Sequence, residues 1–396
     1  MIRPAEIEGA LKSCMGCNAC FRQQLDFCPI YEEFKIPPYT FTSIIFLAEG
    51  IFDGILQPSS ELAPVPFSCT LCGFCATRCI TVPLHFKWDS PAELIEGIRS
   101  LFIENGTVPS KVSEVLNNLS TFGNPWGFSP AAKVRWEREC NFPIPDYTKN
   151  GNEYLLFVGD AAYIDESKSI VKSLAELLHT AGIDFGTFKE REIDSGDTAR
   201  ELGEYGLFEE LSRKNIKMFN EHGVKKVITI SPHDYHTFTV DYPQMGFEFN
   251  EVYHHTQLLY ELLRGGKITP SKNIAKTVTY HDPCFLGRYH HVFEQPREIV
   301  KAIPGVSFIE MKQNRVESFC CGGGGGRMWY DVPEEKARSR ISNIRVSHAA
   351  EVKADVIATA CPYCKSMLLA ADNLGEIAVK DVAELLSESV SQQTTQ

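Results

Sequence analysis

Eight cysteines in the N-terminal part of the chain fall into two runs of four. The first run has the spacing C-x2-C-x2-C-x7-C-P and consists of Cys14, Cys17, Cys20 and Cys28. The second has the spacing C-x2-C-x2-C-x3-C and consists of Cys69, Cys72, Cys75 and Cys79. Three thiolates at this spacing can wrap one corner of a 4Fe–4S cubane while a remote cysteine binds the fourth iron. The two runs therefore predict two 4Fe–4S cubane clusters.

Each cubane is expected to take its fourth ligand from the other run, as two-cluster ferredoxins do. One cluster is then held by Cys14, Cys17, Cys20 and Cys79, and the other by Cys69, Cys72, Cys75 and Cys28. The first run is unusually long before its last cysteine, and Ile80 stands where a proline is typical. Structural zinc or disulfides are the alternatives, but zinc sites use separated C-x-x-C pairs rather than triplets.

Five further cysteines lie in three separate segments near the C-terminus. They are Cys284, the adjacent pair Cys320 and Cys321, and the pair Cys361 and Cys364. Each segment follows a predicted strand, where open α/β sheets place their ligands. Adjacent side chains diverge, so the pair suits two irons of an extended cluster better than one zinc ion. Glycines 322–326 are expected to let the backbone pass close to that cluster. A phosphate loop is the alternative, but G-x-G-x-x-G fails at Arg327.

The segments YHDPCFLGR, CCGGGGGRMW and ATACPYC resemble the cysteine-rich CCG domain found in the B-type and D-type polypeptides of heterodisulfide reductase. The resemblance covers essentially the whole chain, because the D-type polypeptide joins a two-cluster ferredoxin-like domain to two CCG domains. It implies a noncubane 4Fe–4S cluster on the five C-terminal cysteines. In those reductases two such clusters face each other across a disulfide substrate and cleave it.

An internal repeat indicates that the first of the two CCG copies has lost its cysteines. FVGDAAYI aligns with YHDPCFLG, and two later segments align at similar intervals. The residues that meet the five cysteines are Asp160, Asp194, Ser195, Ser231 and Asp234. These hard ligands are poorly suited to iron–sulfide, so a second noncubane cluster is not expected. With His233 they could form a hard-metal or proton-handling site, or a hydrogen-bonded polar remnant.

Several residues near Cys284 have two interpretations each. His281 and Asp282 could donate protons or tune the cluster potential, or they could support the site structurally. Arg288, His290 and His291 are expected at the surface, with an approach to the cluster as the alternative.

The predicted secondary structure that positions these residues differs between the N-terminal and C-terminal parts of the chain. Residues 1–100 are short segments around the cysteines, and residues 101–150 form a predicted connecting segment. Beyond them, strand-like runs such as EYLLFVG, KKVITI and ADVIAT alternate with helical periodicity, which predicts α/β units with mostly parallel sheets. We expect a mainly helical two-cluster ferredoxin-like domain, a degenerate CCG domain at 151–265 and an intact one at 266–396. Residues 41–56 are a predicted amphipathic helix over the ferredoxin clusters.

Charge and composition limit the partners. The net charge of −12 argues against nucleic acid, because phosphate binding needs a basic surface. No signal peptide is visible, and the most apolar window, residues 41–56, is too short to cross a bilayer. Fourteen cysteines with metal-type spacing indicate a reducing compartment. We expect a cytoplasmic protein that meets a membrane only through a partner.

These features favour an electron-transfer iron–sulfur subunit of a multisubunit oxidoreductase. It would relay electrons between a flavoprotein or cytochrome partner and the C-terminal cluster, since the chain carries no flavin fingerprint of its own. The alternative is a catalytic disulfide reductase that acts on a small thiol or disulfide at the single noncubane cluster, with its five cysteines as the catalytic set. A structural iron–sulfur scaffold is a third interpretation.

Overall fold

The computed structural model describes residues 4–11, 28–79, 91–330 and 338–390. In the cysteine-bearing N-terminal part, the described regular elements are helices joined by turns and irregular segments. Its helices are Pro4–Leu11, Pro29–Phe34, Phe41–Phe52, Pro64–Phe67, Phe74–Arg78, Pro91–Glu104 and Ser110–Phe122. The last of these lies in the predicted connecting segment. Short 3-10 turns at Pro130–Ala132 and Arg135–Glu139 and a helical turn at Tyr147–Asn150 then lead into the first sheet.

Two four-stranded parallel sheets follow, and they share one topology. The first sheet has the order β2-β1-β3-β4 and the strands Tyr154–Phe157 (β1), Phe185–Gly186 (β2), Lys226–Thr229 (β3) and Glu251–His254 (β4). The second has the order β6-β5-β7-β8 and the strands Thr277–Tyr280 (β5), Ser307–Phe308 (β6), Val356–Thr359 (β7) and Ala378–Asp381 (β8). The identical strand order confirms the predicted duplication and the α/β class.

Helices cover the sheets, as parallel strands require. Those of the first copy are Lys168–Thr180, Asp197–Leu202, Tyr205–Glu221, Pro232–His236, Tyr242–Gln244 and His255–Arg264. Those of the second copy are Cys284–Gly287, Glu294–Lys301, Ile341–Glu351, Pro362–Leu369 and Val382–Ser389. The helix Lys168–Thr180 illustrates how the sequence produces such a covering helix. Its apolar residues recur at helical spacing and form one buried face, which consists of Ile170, Val171, Leu174 and Leu178.

The two copies pack in a crossed arrangement. The helix after β1 contacts Val382–Ser389, which follows β8, and the helix after β4 contacts Glu294–Lys301, which follows β5. His255 at the end of β4 also bonds, through Nε2, to Asp381 Oδ1 at the end of β8 (2.9 Å). This packing brings the carboxyl ends of the strands in the two copies side by side. Tyr363, which follows β7 in the second copy, accordingly donates to Asp160, which follows β1 in the first.

The glycine run packs closely against backbone that the sequence did not indicate as its partner. A Cβ atom on Gly324 would lie 2.5 Å from the Thr70 carbonyl oxygen, and one on Gly325 would lie 2.4 Å from that of Cys69. Gly325 also has a φ of +63°. At these two positions the absence of a side chain lets the CCG domain sit directly on the second ferredoxin cysteine run. The close approach of the glycines to a cluster in their own domain stays a prediction, and the contact with the second ferredoxin run is an additional role.

None of the helices in the described part of the chain combines the length and apolar character needed to span a membrane.

Replacement of Gly325 by alanine tests this contact. We expect Gly325→Ala to lower the free energy of unfolding by about 2 kcal/mol more than Gly106→Ala, because only the former drives a methyl group into a carbonyl oxygen. Gly106 is a matched control, since its φ is +67° and nothing lies within 4 Å of its Cβ position. Anaerobic thermal unfolding of both variants measures the difference. Equal losses would contradict the proposed close packing.

Candidate iron–sulfur sites

Four cysteines line one apolar pocket in the N-terminal domain. They are Cys28, Cys69, Cys72 and Cys75. Phe41 and Ile44 from the helix Phe41–Phe52 line the same pocket, so the predicted helix does pack over this site. The pocket joins the last cysteine of the first run to three cysteines of the second, which is the grouping expected for the second cubane.

Burial keeps these thiols protonated in the absence of a metal. Desolvation raises the pKa of Cys28 to about 12 and the pKa of Cys69 to about 11, although Arg99 lowers the latter somewhat. Metal binding must therefore displace protons here. None of the described cysteines forms a disulfide, so the thiols are available as ligands.

The other predicted cubane is only partly described. Cys14, Cys17 and Cys20 lie outside the described residues. Cys79, their expected fourth ligand, is half-buried directly after the helix Phe74–Arg78. The first cubane stays a prediction.

The five C-terminal cysteines are all buried and come from three segments of the second copy. Cys284 lies shortly after β5, and Cys361 and Cys364 lie directly after β7. Cys320 and Cys321 lie farther from a strand, beyond the 3-10 turn Arg315–Glu317 that follows β6. The Sγ atoms of Cys321 and Cys364 are 3.2 Å apart, which is longer than the disulfide bond of about 2.05 Å. Soft thiol donors that converge without a disulfide fit an iron–sulfur cluster.

His281 supplies an independent indication that a group belongs at this site. Arg345 Nε donates to His281 Nδ1 at 3.1 Å, so the ring proton of the neutral imidazole must sit on Nε2. Burial and Arg345 both lower the pKa of His281, which keeps the ring neutral. Nε2 is buried without a hydrogen-bond partner, and a ring nitrogen of His281 lies within 4.8 Å of the sulfurs of Cys321 and Cys364. This orphaned donor fits a cluster bound at these cysteines.

Asp282 and Arg288 have structural roles that the sequence left open. Asp282 forms a bidentate pair with Arg297 at 2.6 and 2.8 Å, which agrees with the structural interpretation. Arg288 is buried rather than at the surface, and this expectation was wrong. Its Nε donates to the Cys72 carbonyl (2.6 Å) and its Nη1 to the Ser318 carbonyl (2.7 Å).

The neighbouring histidines differ in exposure. His291 is exposed as expected, whereas His290 is half-buried and bonds to His236 (3.1 Å).

The segments that carry the two cysteine groups pack against each other. Arg288 joins them, because its Nε donates to the Cys72 carbonyl in the N-terminal pocket (2.6 Å) and its Nη1 to the carbonyl of Ser318, two residues before Cys320 (2.7 Å). Tyr289 fastens the same boundary by donating to the Leu71 carbonyl (2.7 Å). The loops that carry two predicted cluster sites from opposite ends of the chain are therefore bonded to each other through these side chains.

The degenerate site of the first copy is a buried acidic pocket. Asp160, Asp194, Ser195, Ser231 and Asp234 are all buried. Ser195 Oγ donates to Asp234 Oδ1 at 2.6 Å, Asp194 accepts from a backbone amide, and Ser231 caps the helix Pro232–His236. These contacts are those of a hydrogen-bonded polar remnant.

The environment of the acidic pocket favours the protonated, uncharged form of its carboxyl groups. Burial raises the pKa of Asp160 to about 7, with repulsion from Asp197 as the next cause. Burial and neighbouring carboxylates raise the pKa values of Asp194 and Asp234 well above the usual range. Lys133 compensates one charge through its pair with Glu192 (2.8 Å).

Sequence reasoning missed two carboxylates next to this pocket. Asp197 and Glu201 lie four residues apart and therefore on one face of the helix Asp197–Leu202. Both are buried and both approach His233 Nδ1, at 3.9 and 2.6 Å respectively. The i, i+4 spacing of two acids was the available signal.

Comparison with known proteins agrees with this geometry. The chain matches the family model of the cysteine-rich domain at residues 155–239 and 278–369, and that of the 4Fe-4S dicluster domain at residues 10–82. The D-type polypeptide of the dihydromethanophenazine:CoB--CoM heterodisulfide reductase of Methanosarcina barkeri is 31% identical over 97% of this chain and 95% of its own length. The chain belongs to the family of D-type heterodisulfide reductase polypeptides. The predicted resemblance is thereby confirmed.

Two relatives outside the archaeal reductases are longer. The probable iron-sulfur-binding oxidoreductase FadF of Bacillus subtilis is 40% identical over 82% of this chain and 46% of its own length. The EtfAB:quinone oxidoreductase of Syntrophomonas wolfei is 36% identical over 81% of this chain and 46% of its own length. The chain thus spans about half the length of these two proteins. The family comprises iron–sulfur oxidoreductases and their subunits, and this chain shares that general character.

Iron content tests the C-terminal site. Three 4Fe–4S clusters correspond to about twelve irons per chain. We expect Cys321→Ala to lose about four of them, because it removes a ligand at the centre of the C-terminal group. Cys140→Ala is the control, since Cys140 belongs to no motif and contacts only the Trp136 carbonyl at 4.0 Å among the hydrogen bonds described. Equal iron in the two variants would rule out the C-terminal cluster.

The acidic pocket makes a pH-dependent contribution to stability. The native pKa of Asp160 is about 7, well above the ordinary value of 3.8, so the folded state holds a proton that the unfolded state releases. Stability therefore falls as the pH rises from about 4 to about 7. Because asparagine does not titrate and can still accept from Tyr363, we expect Asp160→Asn to raise the free energy of unfolding by about 2 kcal/mol at pH 8, and by less at pH 5.

Thermal unfolding at both pH values measures this effect. Asp53→Asn, at an exposed carboxylate, serves as the control. A gain that is the same at pH 5 and pH 8 would show that the charge of Asp160 is not its cause.

Proposed function

We propose that this chain is an electron-transfer iron–sulfur subunit of a multisubunit oxidoreductase. It relays electrons between a flavin- or haem-containing partner and a noncubane 4Fe–4S cluster on the five C-terminal cysteines, by way of two N-terminal cubanes. Bound clusters supply one-electron carriers that no side chain provides. The chain contributes the thiol ligands, keeps water away from them and fixes the spacing between the sites. Its cytoplasmic placement, with membrane association through a partner protein, belongs to the same proposal.

The joining of the Cys72 loop to the Cys320 segment by Arg288 and Tyr289 is the observation that carries this proposal. Two centres whose ligand loops are bonded to the same side chains are separated by a short path for electrons. Arg288 holds both loops at this point through its bonds to the carbonyls of Cys72 and Ser318. The names of the two longer relatives, an iron-sulfur-binding oxidoreductase and an EtfAB:quinone oxidoreductase, are consistent with a relay that serves a partner flavoprotein.

An anaerobic redox titration followed by EPR tests the proposal against the alternative of a disulfide reductase. A relay predicts a third signal, beyond those of the two cubanes, that is unchanged when a small thiol or disulfide is added. A third signal that changes on addition of thiol would favour catalytic disulfide reduction at the C-terminal cysteines. Two cubane signals alone, with about eight irons per chain, would overturn both.

Arg288 provides a kinetic test of the route. We expect Arg288→Met to slow electron arrival at the C-terminal cluster severalfold after photochemical one-electron reduction of the protein, because the Cys72 and Ser318 loops lose their shared donor. Rapid-freeze EPR follows the signal. Arg264→Met, at an exposed arginine that stacks on Tyr260, is the control. Unchanged kinetics in an Arg288 variant with full iron content would argue against this route.

A further inference from the structure

A histidine and an arginine form a buried pair beside the C-terminal cysteines. His281 comes directly after β5, and its backbone amide donates to the Ala358 carbonyl of β7 at 2.8 Å. Arg345 belongs to the helix Ile341–Glu351, and its Nε donates to His281 Nδ1 at 3.1 Å. The exposed fraction is 1% for His281 and 0% for Arg345. The sheet and the helix therefore hold the two side chains in one fixed arrangement.

The hydrogen bond between them decides which ring nitrogen of His281 carries a proton. An arginine side chain has donors only, so Nδ1 must accept and the ring proton must sit on Nε2. Nε2 is buried and has no hydrogen-bond partner among the described residues. A ring nitrogen of His281 lies within 4.8 Å of the sulfurs of Cys321 and Cys364, which are 3.2 Å apart. One unused N–H donor is thus held beside two of the predicted cluster ligands.

Arg345 brings a buried positive charge to this pair. Its Nη1 donates to the Gln313 carbonyl at 3.0 Å and its Nη2 to Ser318 Oγ at 3.2 Å. All three of its hydrogen-bond acceptors in the described part of the chain are neutral. The carboxylate of Asp282 is paired with Arg297 instead. A buried charge among neutral groups is unfavourable unless an opposite charge lies nearby, and an anionic group bound at the cysteines would supply that charge.

We propose that His281 donates a hydrogen bond from Nε2 to a sulfur of the C-terminal cluster and thereby raises its reduction potential, with Arg345 as the positioning residue. Since this role needs a cluster at these cysteines, it rests on the proposed function. Hydrogen bonds in a chain polarise one another, so the guanidinium strengthens the Nε2–H donor. Hydrogen bonds to sulfur and nearby positive charge stabilise the reduced cluster, which carries one more negative charge.

The polarity of this pair is the reverse of that found at histidines that ligate a metal. Such a histidine donates its second N–H to a carboxylate or carbonyl, which makes the ring a better electron donor. Here a cation donates to the ring, which favours the arrival of an electron at the cluster. In that step a cubane is oxidised, the C-terminal cluster is reduced, and the ring keeps its proton. The pair therefore suits the terminal acceptor of the proposed relay.

The decisive variant is the double change His281→Leu with Arg345→Met. Removal of both partners avoids a buried guanidinium that has lost its acceptor. We expect the ratio of oxidised to reduced C-terminal cluster at a fixed potential to rise about tenfold, equivalent to a fall of about 59 mV for a one-electron couple. EPR-monitored redox titration measures this ratio, and the cubane signals provide an internal reference that stays unchanged.

His281→Gln separates the N–H donor from the imidazole ring. The amide oxygen can accept from Arg345, and the amide nitrogen supplies a donor. We expect the oxidised-to-reduced ratio to stay within about twofold of wild type, because both hydrogen bonds are retained. A rise as large as that of the double variant would contradict the proposed role, since the loss of the ring and not of the donor would then be its cause.

Tyr363→Phe is the matched control. This residue lies between the ligands Cys361 and Cys364, but its buried hydroxyl donates to Asp160 Oδ2 at 2.9 Å and not to a sulfur. We expect the potential of the C-terminal cluster to be unchanged in this variant. A shift as large as that of the double variant would overturn the proposed role, because the loss of any buried hydrogen bond near the ligands would then suffice.

The remaining outcomes distinguish failure of the proposed function from failure of this role. A wild-type protein with about eight irons and no third signal would overturn both. A third signal whose potential is the same in wild type and double variant would overturn the role of His281 alone. If the double variant loses its C-terminal irons, His281→Gln decides. Retention of the cluster at the wild-type potential would support a donor at this position, and loss of the cluster there too would contradict it.

Discussion

The arrangement of the ferredoxin-like domain and the two CCG copies depends on the hydrogen bonds of one guanidinium group, that of Arg99. It is completely buried and donates to the carbonyls of Pro66, Cys69, Glu201 and Gly325 at distances between 2.5 and 3.1 Å. These carbonyls belong to the second ferredoxin run, the degenerate copy and the glycine run of the intact copy. The planar fork of five donors suits such a junction, since one rigid group fixes several chain segments in relative position. Without it, four carbonyls would be buried around a cavity, and the spacing between Cys72 and Cys320 would lose its support.

Retention of a cysteine-free first copy follows from packing. The helix Lys168–Thr180 of that copy contacts Val382–Ser389 of the other, and both bury their apolar faces in one common core. Loss of the first copy would expose that core, whereas loss of its thiols alone would not. Polar side chains such as Ser195 and Asp234 fill the former site by bonding to each other. Filling the site in this way buries several carboxyl groups, whose charged form would be unfavourable there. Their burial is tolerated because each is protonated more readily than usual and has a hydrogen-bonding neighbour.

The sequence predicted the features that depend on spacing and missed those that depend on packing between domains. The cysteine runs, the strand within ADVIAT and the duplication are local patterns or repeats, and the sequence alone indicated each of them. The burial of Arg288 and the bond between Arg99 and the Gly325 carbonyl join residues far apart in the chain, and no periodicity marks such pairs. The glycine run combines a predictable and an unpredictable feature. Its composition indicated that another group lies close to its backbone, but only the fold identifies the Cys69 carbonyl as one such group.

The interface between the two copies helps to decide between the two functions considered for this chain, electron transfer and disulfide reduction. In the reductases that this chain resembles, two noncubane clusters face each other across a disulfide, so room for substrate is needed there. In this chain the corresponding face is filled by side chains: Tyr363 bonds to Asp160, His233 bonds to Glu201, and Phe285 stacks on His233. All five of these residues are buried. A site closed in this way can still exchange electrons through its ligands, but it offers a disulfide no second metal centre to bridge. The space beside the predicted cluster is thus closed by buried side chains of both copies, which favours the proposed one-electron transfer over disulfide chemistry.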